Sequence, residues 1–236
     1  MRDRIANHKL MKHIVVDLEI NKLGRKERLS EFFQGELIEI GAVMLDDDMN
    51  EISEYKTYVH PEHTDQIAPR IKKLTGITEE NTKDAPVFYD AFESFCKWCL
   101  EPGDEITMYE WSTADRNHFV NECTFKEIEL SPAQSRILNA VWIDIQEVFD
   151  NKAGYDRQMS LNIALFATGL MVEGELHDAL DDARNTGRIL AMLKDEALLK
   201  EALEKINSYM NPPPLTASIG SMFDFSGIVF NDDDES

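Results

Sequence analysis

The stretch His13-Ile14-Val15-Val16-Asp17-Leu18-Glu19-Ile20 places two carboxylates, two residues apart, at the end of an apolar run. Successive side chains of a strand point to opposite faces, so Asp17 and Glu19 project together while Val16, Leu18 and Ile20 face the other way. Two like charges side by side at a buried strand end repel and lose hydration, and a divalent cation held by oxygen ligands is the simplest compensation. An exposed strand end with two solvated acids is the alternative. Two further stretches carry acids that could join this pair. Asp115 follows Ser112-Thr113-Ala114, and a Ser three residues before an acid resembles a capping box. An acid in the first turn of a helix that starts just after a strand end also points into the crevice where α/β sheets bind ligands. In the segment that begins His177-Asp178-Ala179, the residues Leu180, Ala183, Gly187 and Leu190 form a helical stripe. Ala183 and Gly187 are small enough to allow close packing on a sheet, which would bring Asp182, at the edge of the stripe, towards the first-strand carboxylates.

Cys96-Lys97-Trp98-Cys99 has the C-x-x-C form, but it lies late in a helical pattern of Phe88, Phe92, Phe95, Cys96 and Cys99 and reads as core packing. With Cys123 the count is odd, which is not a disulfide framework.

A 236-residue chain with 43% hydrophobic residues can bury a sizeable core and fits one α/β domain with extensions. Its 24 basic and 45 acidic residues give a net charge of −21, which argues against broad electrostatic capture of long duplex nucleic acid but leaves small or single-stranded substrates open. No apolar run approaches a membrane span and the first residues are polar, so no membrane association and a cytoplasmic location are expected.

The elements that must position these acids follow in order. After the first strand, residues 21–34 form a charged loop with Lys22, Arg25, Lys26 and Arg28, which is either a solvated loop or a basic flap able to touch a phosphate. Residues 36–45 and 51–59 read as strands joined at Asp46-Asp47-Asp48-Met49-Asn50 into an antiparallel hairpin. A short helix over 67–74 is interrupted by Pro69 and closed by Gly76, and Asp84 caps an amphipathic helix that runs to Leu100. Residues 104–109 form a strand, and 140–149 and 160–167 are helical by periodicity, the latter between Ser160 and Gly169. A last helix over 196–209 ends at Pro212-Pro213-Pro214. Residues 1–210 are thus expected to be one domain, and 211–236 a Pro-containing linker with an apolar segment (Met222 to Phe230) and an acidic end.

Set together, Asp17-x-Glu19, Asp115 near a helix start and His177-x4-Asp182 resemble the three exonuclease motifs of the DEDD superfamily, in its His-containing branch (ribonuclease T and the DNA polymerase III epsilon subunit). Glu36-Leu-Ile-Glu-Ile-Gly-Ala-Val43 resembles that family's second strand, Leu74-Thr75-Gly76-Ile77-Thr78 its Thr-Gly-Ile-Thr segment, and His177 to Ala183 its third motif. The resemblance covers about residues 12 to 195 and is strongest to the branch that trims 3′ ends of small or structured RNAs, which includes sporulation-inhibitor proteins of the KapD type. Two departures stand out: Asn21 occupies a position where many members carry Thr, and Glu110-Trp111-Ser112-Thr113 replaces a small polar lead-in to the second motif.

The resemblance implies an RNase H-like mixed sheet, an antiparallel hairpin beside parallel strands, flanked by helices. It further implies a 3′-to-5′ exonuclease acting on single-stranded 3′ ends, RNA before DNA. Phosphodiester hydrolysis needs charge neutralised at the scissile phosphate and an in-line nucleophile, and two Mg²⁺ or Mn²⁺ ions roughly 4 Å apart serve both ends. In that scheme Asp17 bridges the ions, Glu19 and Asp182 lie on the nucleophile side, and Asp115 assists through water. His177 accepts the proton of the attacking water. Asp178 and Asp181 are spare acids that could stand in as ligands; the family spacing selects Asp182. Leu18, Ile20, Leu74 and Trp111 are the apolar candidates to hold an unstacked terminal nucleotide. The competing readings are a catalytically silent regulatory module that binds a protein partner on the same fold, and a DNA proofreading or repair exonuclease. The apolar tail is expected to dock on a partner chain or back onto its own domain.

Overall fold

The computed structural model describes residues 11–23, 32–64, 66–101 and 105–210. Arg25, Lys26 and Arg28 of the basic loop, and the tail from 211 onward, lie outside the described residues. Five strands, β1 (Met11–Lys22), β2 (Gly35–Leu45), β3 (Glu51–Tyr58), β4 (Glu105–Glu110) and β5 (Val141–Asp144), form one sheet in the order β3-β2-β1-β4-β5. The β1–β2 and β2–β3 pairs are antiparallel, while β1–β4 and β4–β5 are parallel. The expected mixed sheet is the one that forms. The helices among the described residues are α1 (Pro69–Thr75), α2 (Glu79–Thr82), α3 (Phe88–Leu100), α4 (Ala114–Phe125), α5 (Pro132–Leu138), α6 (Ile145–Ala153), α7 (Leu161–Thr168), α8 (Ala179–Lys194) and α9 (Glu196–Met210).

Alternation along β1 divides the core in two. Ile14, Val16, Leu18 and Ile20 pack on one side with Phe88, Phe92 and Phe95 of α3 and Phe119 of α4. Val15 joins Val43, Leu45, Leu180 and Ile189 on the other, beneath α6 to α9. Phe92 and Phe119 stack at 4.5 Å between ring centroids, and burying each such ring contributes about 2 to 3 kcal/mol. Cys96, Cys99 and Cys123 are buried free thiols in this first cluster, as the helical pattern implies, and burial pushes the Cys123 thiol up to about 12. A register shift between Glu19 and Ile20 pairs Glu19 with Glu39 but Ile20 with Leu37. The extra residue, Ile38, turns into a third cluster with Ile67, Ile71 and Ile77 beneath α1.

Three local expectations need correction. Pro69 does not interrupt its helix; it opens α1, where its missing N–H costs nothing, and Gly76 closes it at φ +73°. Asp84 is not a cap: α3 starts at Phe88 with Val87 before it, because the 83–87 segment turns back to the hairpin, where His60 N–H donates to Pro86 O and His60 bridges Val87. Residues 140–149 are not one helix, since Val141–Asp144 pair with β4 as the edge strand and only then does α6 begin. α5 is too short to show a helical period in the sequence; Ser131 and Gln134 cap it reciprocally and Pro132 occupies its first turn.

Candidate active site

Asp17 and Glu19 stand on the α8 face of β1, the central strand, at the end where β4 also finishes. In the sheet register Asp17 is opposite Gly41 of β2, and Gly41 in turn is opposite Lys56 of β3. The first turn of α8 rests on Gly41: a Cβ there would stand 2.1 Å from both the Ala179 carbonyl carbon and the Leu180 nitrogen. Gly187 on α8, by contrast, would meet only side chains of Leu45, Val43 and Val15 at 3.6–3.8 Å, which is ordinary contact. The close approach that brings α8 to the carboxylates is therefore made by the sheet glycine.

Asp182 leads off from that first turn, and one ligand atom from each of Glu19, His177 and Asp182 lies within 4.8 Å of the others. His177 occupies the left-handed region at φ +64°, unusual for a side-chain-bearing residue, and its N–H donates to Asp182 Oδ2 at 3.0 Å. Asp182 Oδ1 is buried and has no hydrogen-bond partner.

Asp115 arrives from the other flank. No capping box forms at this helix start: Ser112 sits at φ +77°, its N–H donates to Asp144 Oδ1 at 3.1 Å, and Thr113 makes no side-chain cap. The N-terminal amides of α4 are met instead by Glu110, whose Oε2 accepts from Arg116 N–H at 2.9 Å and which also accepts from Asp115 N–H. Asp115 is buried and accepts from Leu18 N–H, which ties it to β1 between the two strand acids.

The electrostatics match this crowding. Removal from water, and then the charges of Asp115, Asp182, Glu19 and Glu39, push the Asp17 carboxyl well above its ordinary range. Burial, then Asp182 and Glu39, push Glu19 up to about 8. Asp115 is raised by burial and by Glu110 and Glu19, and Asp182 by burial, partly offset by the His177 N–H. Four mutually repelling carboxylates beside one imidazole, with an orphaned carboxylate oxygen on Asp182, suit a hard divalent cation. Among the described residues no helix is long and apolar enough to cross a membrane.

The remaining sequence candidates separate by exposure. Leu18 and Ile20 are each 7% exposed and belong to the core on the opposite face, whereas Leu74, near the end of α1, is 44% exposed. Trp111 is half-buried against Phe149, with its indole N–H donated to Met159 O at 3.2 Å. The spare acids are engaged by the protein itself. Asp178 caps α8 by accepting from Leu180 and Asp181 N–H, and Asp181 accepts from Glu175 N–H and pairs with Arg184. Asn21 is taken up by the segment that leads into α1. It is buried, donates to Thr64 Oγ1 and Gln66 O at 3.1 Å, and accepts from Ala68 N–H at 3.0 Å, which anchors the start of α1.

Two buried acids beside the site escaped sequence reasoning. Glu110 is one; the other is Glu39, which accepts from Ala179 N–H at 3.1 Å and pairs with Lys56 at 3.2 Å. Only their place in the two strands that flank the carboxylates on β1 could have marked them.

A family model described as an exonuclease, of the ribonuclease T type, matches residues 14–190. The chain belongs to this exonuclease family. Among curated members, mouse ERI1 exoribonuclease 2 is 27% identical over 206 residues, covering 79% of this chain and 30% of that protein. Human 3′-5′ exoribonuclease 1 is 29% identical over 177 residues, covering 71% of this chain and 49% of that protein. The chain thus spans half or less of these relatives' own length. A solved nuclease domain of 3′hExo, a DEDDh family member bound to rAMP, superposes with a TM-score of 0.65 at 23% identity, over 81% of this chain and 94% of that one. That likeness shows a shared RNase H-like exonuclease fold.

Proposed function

We propose that this chain is a metal-dependent 3′-to-5′ exonuclease that removes nucleotides from single-stranded 3′ ends, with RNA as the substrate. The observation that carries it is the convergence of Glu19, His177 and Asp182 within 4.8 Å, beside Asp17 and the buried Asp115. Asp17, Glu19, Asp115 and Asp182 are the residues that would hold divalent ions, Asp17 being the one that feels the charge of the other three. Two Mg²⁺ or Mn²⁺ ions would neutralise the scissile phosphate and ease ionisation of the attacking water. His177, fixed in its turn, takes the water's proton on a ring nitrogen. The water oxygen bonds to phosphorus as the P–O3′ bond breaks, which releases a nucleoside 5′-monophosphate, and the 3′ oxygen left on the shortened strand takes a proton from solvent to become its new 3′-hydroxyl. Leu74 offers the open apolar surface for the terminal base, with the rim of Trp111 as a second candidate. Leu18 and Ile20 have little area to give.

RNA is favoured because the matched relatives are named exoribonucleases, and because another protein of similar structure is a 3′-exonuclease in 3′-end-specific recognition of a histone mRNA stem-loop. The test is incubation of the full chain with 5′-labelled single-stranded RNA, single-stranded DNA and blunt duplex, with Mn²⁺ or with EDTA. The reading expects ladders that shorten from the 3′ end of RNA, fastest on single strands and absent with EDTA. Equal turnover in EDTA, or no turnover of any strand, refutes it.

A further inference from the structure

Among the metal-facing acids and the imidazole of the site, His177 is the group whose backbone is itself strained, and the αL conformation of a non-glycine residue costs on the order of 1 kcal/mol unless its surroundings enforce it. The restraint comes from both sides of the residue. On its own element, His177 N–H is held by Asp182, and Asp178, the next residue, caps α8 through Leu180 and Asp181 N–H at 3.1 and 3.3 Å. From the sheet, Glu39 accepts the Ala179 N–H, so a buried carboxylate pins the peptide that follows the turn. Two acids, Asp178 and Glu39, thus grip the turn within reach of Glu19, whose strand position is opposite Glu39. Unrelieved, they would repel each other.

Lys56 relieves them. It lies on the edge strand β3 in the row Asp17–Gly41–Lys56, where the first turn of α8 that rests on Gly41 comes within its reach. It pairs with Asp178 and with Glu39 Oε1, the latter at 3.2 Å. Burial works against its charge, yet the two carboxylates hold that charge more firmly than in an ordinary lysine. We propose that Lys56 is a positioning residue for the proton-accepting imidazole: by bridging Glu39 and Asp178 it holds the His177 turn in its left-handed conformation. It touches neither phosphate nor metal in this role. The inference rests on the nuclease reading above, since it assigns Lys56 no activity of its own.

Full-length Lys56→Met, Lys56→Arg, His177→Ala and the Lys56→Met/His177→Ala double variant are compared on 5′-labelled single-stranded RNA with Mn²⁺. Loss of the clamp should lower kcat on the order of 10- to 100-fold, as expected for a misplaced catalytic group, with KM and Mn²⁺ affinity within about twofold of the parent. Lys56→Arg, which keeps the charge, should recover most of the loss. In the His177→Ala background, Lys56→Met should add nothing, because the group it positions is gone. A purely structural lysine would instead multiply the two defects. Multiplying defects, an unchanged kcat, or an Arg variant no better than Met would overturn the proposal while leaving the nuclease reading intact; an inactive parent overturns both. If Lys56→Met does not fold, Asp178→Asn, which keeps the cap oxygen and removes the ion pair, is read by the same criteria.

Discussion

Gly41 lies directly beneath the Ala179–Leu180 peptide and directly opposite Asp17, so one hydrogen atom in place of a side chain decides how near the third motif comes to the first. Gly41→Ala would force α8 off the sheet. Overpacking of this kind costs about 2 to 3 kcal/mol, and because the displaced helix carries Asp182, turnover should be lost even in the folded fraction. Urea unfolding and RNA turnover on the same preparation check both parts; Gly187→Ala, which meets only ordinary contacts, is the control and should change stability by less than about 1 kcal/mol.

The metal-free protein should lose stability as pH rises from 6.5 to 8. Glu19 holds its proton up to about pH 8 when folded but only to about 4.5 when unfolded, so in this window the native state binds more protons and rising pH favours unfolding. The other raised carboxyls act in the same direction. His118, pushed down to about 4 by burial and Lys22, works oppositely, but only below 6.5, and Glu79, held at about 2 mainly by Lys72, titrates lower still. Mn²⁺ should raise Tm, and more at pH 8 than at 6.5, since protons compete for the same oxygens. Thermal scans across this range with and without Mn²⁺ decide it; a metal-free Tm that climbs with pH contradicts it.

Asp17→Asn and His177→Ala should fail in different ways. Removing the Asp17 charge relieves a repulsive cluster, so the metal-free Tm should rise while turnover and Mn²⁺ affinity collapse together. His177→Ala should keep Mn²⁺ bound and lose on the order of 10² to 10⁴ in kcat, with residual turnover that increases with pH as hydroxide replaces the missing acceptor. Calorimetric Mn²⁺ titration separates the two. A large loss of Mn²⁺ affinity in His177→Ala would make the imidazole a ligand instead of a base.

Asn21→Ala should destabilise the protein by about 2 to 3 kcal/mol, because three hydrogen bonds to the 64–68 segment are lost in a buried position. The freed segment opens α1, which carries Leu74, so KM for short RNA should rise more than kcat falls. Steady-state kinetics on a series of about five to ten nucleotides, of the size one strand-binding groove covers, provide the readout; unchanged KM would detach Leu74 from substrate binding.

Much of this arrangement is legible in one dimension because it is periodic. Alternation from Val15 to Ile20 separates two carboxylates from the core side chains, and the stripe through Leu180 and Ala183 aims α8 at them. Legibility ends where a distant partner decides. Val141, Ile145 and Phe149 recur at helical spacing, yet the open edge of β4 recruits Val141–Asp144 as a strand, a tertiary override of local pattern. The small stripe on α8 reads as the cause of close packing, although the steric need lies at Gly41, on an element far away in the chain. Glu39 and Glu110 look like ordinary strand acids until Ala179, Lys56 and the start of α4 are folded against them.

The sheet order has a consequence for how the protein is made. Strand acids 17 and 19 are made well before His177, Asp182 and the helix that seals Gly41, all of which follow β5 in the chain. Chains leave the ribosome amino end first. A nascent chain exposed only through β5 therefore has its scaffold but neither the imidazole nor the fourth carboxylate. On the proposed nuclease reading, cutting would have to wait until α8 has cleared the exit tunnel and closed on the sheet, so a chain whose synthesis stalls before that point should be inactive.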